Sequence, residues 1–365
     1  MAVRSRATTV VTLLSIVAIT ACTGPGATPG ATGTPGTGGS PAPTSTPAGS
    51  PAGSDAGGPL TIYSGRSEEL VAPVIEQFTE ATGIEAEVRY GDTAEQAATI
   101  LEEGTNSPAD VFFAQDAGAL GAVAAEASTA TLPQELLDRV DQRFRSPDEQ
   151  WVGVSGRARV VVYSTERVQE SDLPDSILDF TDPAWKGRLG WAPTNGSFQA
   201  FVTALRVTEG EEAARAWLEG IQENEPEVFE GNLPIVEAVA AGDIDAGFVN
   251  HYYLLGQLAE QGDDYPAANH FLSGGDPGAL VNVAGVTILA TTDQPSGANE
   301  FVDYLLSPEA QEYFAAETYE YPLIEGITLD PQLPPLAEIE SPDIDLSDLQ
   351  DLEGTLDLLA DVGVL

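Results

Sequence analysis

The chain has little of what most catalytic and metal chemistry requires. Its 365 residues contain one cysteine, Cys22. No disulfide framework can form within one chain, and no cysteine nucleophile stands in its body. The two histidines, His251 and His270, are too few for a histidine-rich zinc site. Basic residues number 14 against 58 acidic ones, for a net charge of −44, and Lys186 is the only lysine. Such a surface repels nucleic acid and anionic lipid headgroups, so both are excluded as partners. No G-x-S-x-G elbow, phosphate-binding loop or dinucleotide fingerprint is present. The missing nucleophile and base point away from an enzyme, and leave a lipid-anchored hydrolase only as the weaker reading.

What is present is organised in three zones. Residues 1–22 read as a leader. Arg4 and Arg6 precede an apolar run from Val10 to Ile19 that is too short to span a bilayer. Ile19-Thr20-Ala21-Cys22 resembles the bacterial lipobox, which implies lipidation at Cys22 and anchorage on the outer face of the cell membrane. An ordinary signal peptide is the plainer alternative. Residues 23–58 are almost wholly Gly, Pro, Ala, Ser and Thr. They cannot bury enough apolar surface to order themselves and read as a tether, spanning on the order of 30–36 Å.

The body begins near Pro59. Apolar content of 42% allows real cores, and the length suggests two lobes. Residues 60–63, 84–90 and 110–113 read as strands, separated by helical spacing over 69–78 and 93–104. This order implies an α/β lobe with a largely parallel sheet, whose ligands sit beyond the carboxyl ends of the strands. The pattern recurs: strands at 160–163 and 244–249, a helix from about Phe198, another over 232–242, an apolar run at 281–290 and one amphipathic helix over 298–317. The leucines of the last segment have helical spacing, so 331–365 is expected to dock on a lobe as a helix.

Three features could form a site. Tyr252 and Tyr253 follow a buried-looking strand. Adjacent strand residues face opposite ways, so both phenols reach one point only where the strand ends. A trivalent hard cation could deprotonate them there, although a sugar-stacking platform or a core–surface split fits the spacing too. Thr194 to Phe198 sits at an expected helix start, where free N–H groups bind anions or are simply capped. Arg66, Arg157 and Arg159 lie near strand edges, and their forked guanidiniums suit phosphate, carbonate or carboxylate, or pair with surplus acids.

Together these segments resemble the ferric-iron-binding proteins of ABC importers. The resemblance runs over about 59–330 through Ile62-Tyr63-Ser64-Gly65-Arg66, Ser107-Pro108-Ala109-Asp110-Val111-Phe112, the Ser155 to Tyr163 stretch, and Asp182-Pro183-x-Trp185-Lys186-Gly187-Arg188. It continues through Ala192 to Phe198, Asn250-His251-Tyr252-Tyr253, Asp276 to Val281 and Glu320-Tyr321-Pro322-Leu323. It implies a two-lobed type II periplasmic-binding-protein fold: an N-lobe of 59–158 and 284–330, and a C-lobe of 159–283, joined by a strand hinge. It implies that Tyr252 and Tyr253 ligate Fe³⁺ in the interlobe cleft. A synergistic anion, carbonate or phosphate, would be held by Asn195, Gly196, Ser197, Asn232 and Asn250, with Arg66, Arg157 or Arg159 assisting.

The chain departs from the family pattern after the Tyr63-Ser64-Gly65-Arg66 turn, where Ser67 and Glu68 stand in place of a histidine or histidine-tyrosine. Gln115 occupies the acidic ligand position. Glu68, Gln115 and Asp116 are therefore the remaining cleft candidates, and binding is expected to lean on the anion. The implied partner is a membrane permease, with the receptor acting as a monomer. An ABC receptor for an organic anion, such as a phosphonate or chelated iron, is the alternative.

Overall fold

The computed structural model describes residues 57–365. The leader with Cys22, and all but the last two residues of the tether, lie outside them. The first lobe carries strands β1 (Leu60–Ser64), β2 (Ala86–Tyr90) and β3 (Val111–Ala114), with helices α1 (Glu68–Thr82), α2 (Thr93–Glu103) and α3 (Ala117–Glu126) between and after them. A single turn, α4 (Gln134–Leu137), leads to the 13-residue β4 (Val152–Ser164). The second lobe follows with β5 (Leu189–Trp191), α5 (Gly196–Glu209), α6 (Glu211–Glu223) and β6 (Glu227–Val228). It goes on through α7 (Asn232–Ala241), β7 (Ala246–Asn250), α8 (Tyr252–Gln261) and β8 (Ala267–His270). The chain then returns with β9 (Val281–Ile288), α9 (Pro295–Leu305), α10 (Pro308–Glu317) and β10 (Tyr321–Pro322), and ends in α11 (Leu352–Val362).

Strand β4 joins the two sheets. From Val152 to Ala158 it pairs with β9, and its Ser155 and Gly156 pair with β10. From Arg159 onward it pairs with β7, and from Val161 also with β8. The first sheet therefore runs β2-β1-β3-β9-β4-β10, and the second β8-β4-β7-β5-β6. The chain passes from one lobe to the other within a single strand, between Ala158 and Arg159. All of β9 belongs to the first sheet, including Val281 to Val283, which the sequence assigns to the other lobe.

Residue alternation explains how one strand serves two faces. Val161 packs with Phe248 and Trp217 on one side of the second sheet, while Val160 and Val162 pack with Ile235 and Val249 on the other. A separate core built on Phe78, Phe112, Phe113 and Phe301 fills the first lobe.

Two expectations give way. The sheets are mixed: β9 runs antiparallel to β3 and to β4, because the returning chain enters the first sheet from the other lobe. The amphipathic stretch 298–317 is two helices rather than one. Ser307 accepts a hydrogen bond from the Ala310 N–H as an N-cap, and Pro308 has no N–H to continue the preceding helix.

The crossing of β4 and β9 is tight. A Cβ on Gly285 would stand 2.6 Å from the Val152 carbonyl oxygen and 3.2 Å from Gly153 Cα. Gly285→Ala should therefore cost about 1–3 kcal/mol, read as a lower urea midpoint at unchanged slope. An unmoved midpoint would mean that the strands part freely there.

Candidate functional site

Between the lobes lies a cavity of about 790 Å³. Its first-lobe wall includes Gly65, Thr93, Gln115 and Asp116, and its second-lobe wall includes Thr194 to Ser197 and Asn250. Arg157 and Arg159 line it from β4. They are two residues apart on one strand and so share a face. The N-termini of α2, α3 and α5 all open onto this cavity through Thr93, Asp116 and Asn195, adding partial positive charge.

The anion-loop residues gather around Arg159. Its Nη1 donates to Ser197 Oγ at 3.3 Å, Asn232 Oδ1 at 3.4 Å and Asn250 Oδ1 at 3.2 Å. Asn195 Oδ1 caps α5, accepting from the Ser197 N–H at 3.0 Å, and also accepts from Asn232 Nδ2 at 3.2 Å. Asn232 in turn orders the strand below, accepting from the Asn250 N–H at 3.2 Å. Arg159 Nη2 is buried with no hydrogen-bond partner. Among the described residues, every other arginine and Lys186 lies within ion-pair distance of a carboxylate. Arg159 alone has none, in a chain with 58 acids. Burial pulls its guanidinium down to about 9, against the opposing pull of Tyr253 and Tyr252. It is a desolvated cation with one unpartnered donor, on a residue that lines the cavity.

Arg66 has a different place from the one the sequence suggests. It is 1% exposed and forms a two-pronged pair with Glu320, Nη1 to Oε1 at 3.0 Å and Nη2 to Oε2 at 2.8 Å. Its fork is occupied, so it supports the site from behind rather than meeting an anion. Glu320 also accepts from Ser155 Oγ at 3.0 Å and lies 3.8 Å from Arg157 Nε. Burial would raise the Glu320 carboxyl, but the Arg66 and Arg157 guanidiniums outweigh it and hold it below the usual range. Arg157 donates its Nη2 to the Gln115 carbonyl.

Tyr252 and Tyr253 open α8, and their rings stack with centroids 4.3 Å apart at 28°. The sequence places them at a strand end. Here the strand stops at Asn250 and a helix begins, and that turn brings adjacent side chains together. Burial pushes the Tyr252 phenol up, Tyr253 beside it adds to this, and Arg157 opposes. The preceding His251 fixes this corner: its Nδ1 accepts from the Ala158 N–H at 3.1 Å and its Nε2 donates to the Tyr319 carbonyl at 2.9 Å. Burial pulls the imidazole down to about 4, so it is neutral. Tyr319 holds that carbonyl with a left-handed φ of 55°.

Glu68 is exposed at the start of α1 beside Tyr90 and does not line the cavity. Asp116 does, but its carboxylate caps α3 by accepting from the Ala119 N–H at 2.9 Å. Gln115 lines the cavity with a neutral side chain. Among the described residues no three His, Cys, Asp or Glu side chains are grouped closely enough to hold a metal ion. Tyr252, Tyr253 and Asn232 do not line this cavity. Glu320 and His251 lie inside segments that the sequence singles out, yet nothing local marks their roles.

A two-lobed body with a cleft lined by arginines and helix N-termini has the architecture of a solute-binding protein. The chain belongs to the bacterial extracellular solute-binding proteins, whose pattern residues 106–347 match. It is 34% identical over 309 residues to the major ferric iron-binding protein of Neisseria meningitidis serogroup B, covering 84% of this chain and 93% of that protein. The structure of iron-bound HitA from Pseudomonas aeruginosa matches with a TM-score of 0.78 at 34% identity, over 83% of this chain and 99% of that one. A Trichodesmium protein (IdiA, FutA) solved with iron and citrate ligands matches with a TM-score of 0.74 at 28% identity, over 84% and 99%. The fold is the two-lobed type II periplasmic-binding-protein fold. No helix among the described residues is long and apolar enough to cross a membrane.

Glu320→Gln leaves two buried guanidiniums without their carboxylate and should cost about 3–5 kcal/mol in chemical denaturation. The folded pKa of Glu320 is depressed, so the unfolded chain binds its proton first as pH falls. Its contribution is complete above the unfolded value of about 4.3 and is lost below that. The wild type should lose more stability than Glu320→Gln on acidification through this window. Parallel losses would refute the assignment.

Proposed function

We propose that the chain is the ferric-iron receptor of an ABC importer, binding Fe³⁺ with a synergistic anion and handing it to a membrane permease. The observation that carries this reading is the stacked Tyr252–Tyr253 pair beside a buried excess of positive charge. Three buried guanidiniums, Arg66, Arg157 and Arg159, stand against the Glu320 carboxylate, which pairs with the first two, and the Asp116 carboxyl at the cavity wall. All three guanidiniums interact with the phenols.

Charge accounting gives the order of events. Before cargo arrives, three guanidiniums against the Glu320 and Asp116 carboxyls leave a surplus of positive charge. A ferric ion on two phenolates would add one more, which a buried site disfavours strongly. A divalent anion removes two, so cation and anion are held well only together. The anion's place is the free Arg159 Nη2 and the N-terminus of α5. Burial holds the Tyr252 phenol above its ordinary range, so metal uptake there releases its proton in the same event. Closure of the lobes follows from contacts that exist only with cargo in the gap.

The names of the relatives support the same cargo. The lipobox-like Cys22 and the leader support a receptor anchored on the outer face of the membrane, where an iron importer would need it. Chelated iron is a second reading, favoured by a cavity within the size range of small-molecule pockets.

Fe³⁺ added with bicarbonate, phosphate or citrate should give a red-orange phenolate charge-transfer band. Tyr253→Phe should bleach or shift it and weaken binding by about a hundredfold or more, exceeding the 10–100-fold typical of outer-shell changes. A colourless wild type with every anion would sink the proposal. Arg159→Gln should weaken anion-dependent uptake by about 10–100-fold, as for loss of a charged hydrogen bond. Anion affinity unchanged in that variant would remove Arg159 from the site.

A further inference from the structure

The chain crosses between the lobes a third time at its C-terminal end. The 3-10 turn Leu346–Gln350 seats on α3 of the first lobe, with Leu346 and Leu349 buried in the first-lobe core. Helix α11 seats on α5 and α6 of the second lobe, with Leu358 and Leu359 buried in the second-lobe core. Only Asp351 separates the two. There is no slack in a one-residue link, because a residue spans at most about 3.6 Å even when extended.

Both ends are fastened in different ways. On the second lobe, Arg206 holds the Asp351 carboxylate at 2.9 Å, the Asp351 carbonyl at 3.1 Å and Thr355 Oγ1 at 2.9 Å. Thr355 Oγ1 is also 2.7 Å from Thr203 Oγ1, and that pair is buried. On the first lobe the contact is backbone against glycine. A Cβ on Gly121 would stand 2.9 Å from the Ser347 carbonyl oxygen and 3.3 Å from its Cα. Gln350, Leu352 and Glu353 line the cleft cavity itself.

We propose that residues 346–362 form a strap that ties the lobes together across the cleft, walls the cargo cavity and limits how fast cargo leaves. The two strand crossings at Ala158–Arg159 and Leu280–Val281 let the lobes turn. Wide opening must also bend the chain at Asp351 or lift the 346–350 turn off α3. The strap therefore adds a barrier to release without touching the ligands. The release arm of the test rests on the ferric-iron reading above, whereas the opening arm does not.

The test uses the full chain with Gly121→Ala, which presses on the strap's backbone at its first-lobe seat. Alanine is the better helix former, so α3 is not itself weakened. Leu346→Ala is the second variant, removing one first-lobe anchor. Hydrogen exchange reads the seating of 346–350, small-angle scattering of the iron-free protein reads opening, and stopped-flow loss of Fe³⁺ to EDTA reads release. The expected result is faster exchange in the strap, a wider iron-free particle and release accelerated about fivefold or more at an unmoved charge-transfer band. Release within about twofold of wild type, despite a loosened strap, would overturn the proposal. So would unchanged strap exchange in both variants. If the wild type takes up no iron, the ferric reading fails. The scattering then decides alone: a wider particle in the variants supports the strap, and identical profiles reject it.

Discussion

The site depends on a buried imbalance of charge at the point where β4 passes between the lobes. Arg66 and Arg157 share the Glu320 carboxylate there while Arg159 has none, and all four side chains are nearly inaccessible to water. A buried cation without a counter-charge is among the most costly arrangements a fold can keep. The fold tolerates Arg159 because three side-chain oxygens surround its Nη1, which disperses the charge without neutralising it. An anion in the gap would relieve the cost left over. On the proposed reading this is a standing demand for negative charge where the lobes meet, which the two phenols make conditional on a metal. Phenols rather than carboxylates suit this role. A carboxylate beside Arg159 would be ionised at all times and would satisfy it with no cargo present, whereas a buried phenol becomes an anion only when a strong cation displaces its proton.

Much of this is legible in the sequence where the chemistry is local. Tyr252 and Tyr253 are neighbours, Asn195 to Ser197 is one helix start, and Arg157 and Arg159 alternate on one strand. The lobes' element order also follows from periodicity. What is hidden depends on long-range pairing. Arg66 reads as an anion contact because nothing near it in the chain claims its fork. Its partner, Glu320, is 254 positions away and is brought in only by the pairing of β10 with β4. The first half of β4 is hidden for another reason. Its glycines lower any strand signal, yet Gly153 faces Phe144 and Leu323 at distances that admit no side chain. The break at Ser307-Pro308 is the opposite case, a readable capping signal overridden by the apolar spacing around it.

The acidic surface and the basic site act on the same cargo at different ranges. Outside, most of the chain's 58 acidic residues face solvent, and a net charge of −44 draws cations toward the body and keeps copies apart. That field is screened within about 8–10 Å at ordinary ionic strength. An anion approaching alone is repelled until it reaches the cleft, where three helix N-termini and Arg159 take over. A cation approaching alone is attracted to the surface but finds, among the described residues, no cluster of carboxylates able to hold it. On the proposed reading neither half of the cargo is well held separately, and pairing Fe³⁺ with a divalent anion lowers the charge that the surface meets from +3 to +1. The surface thus discriminates against free anions, the site against free cations, and the species that satisfies both is the pair. On this argument the glutamine at position 115 is consistent with the rest of the site. A carboxylate there, opening onto the cavity beside Arg157, would supply from the chain the negative charge that this receptor draws from its anion.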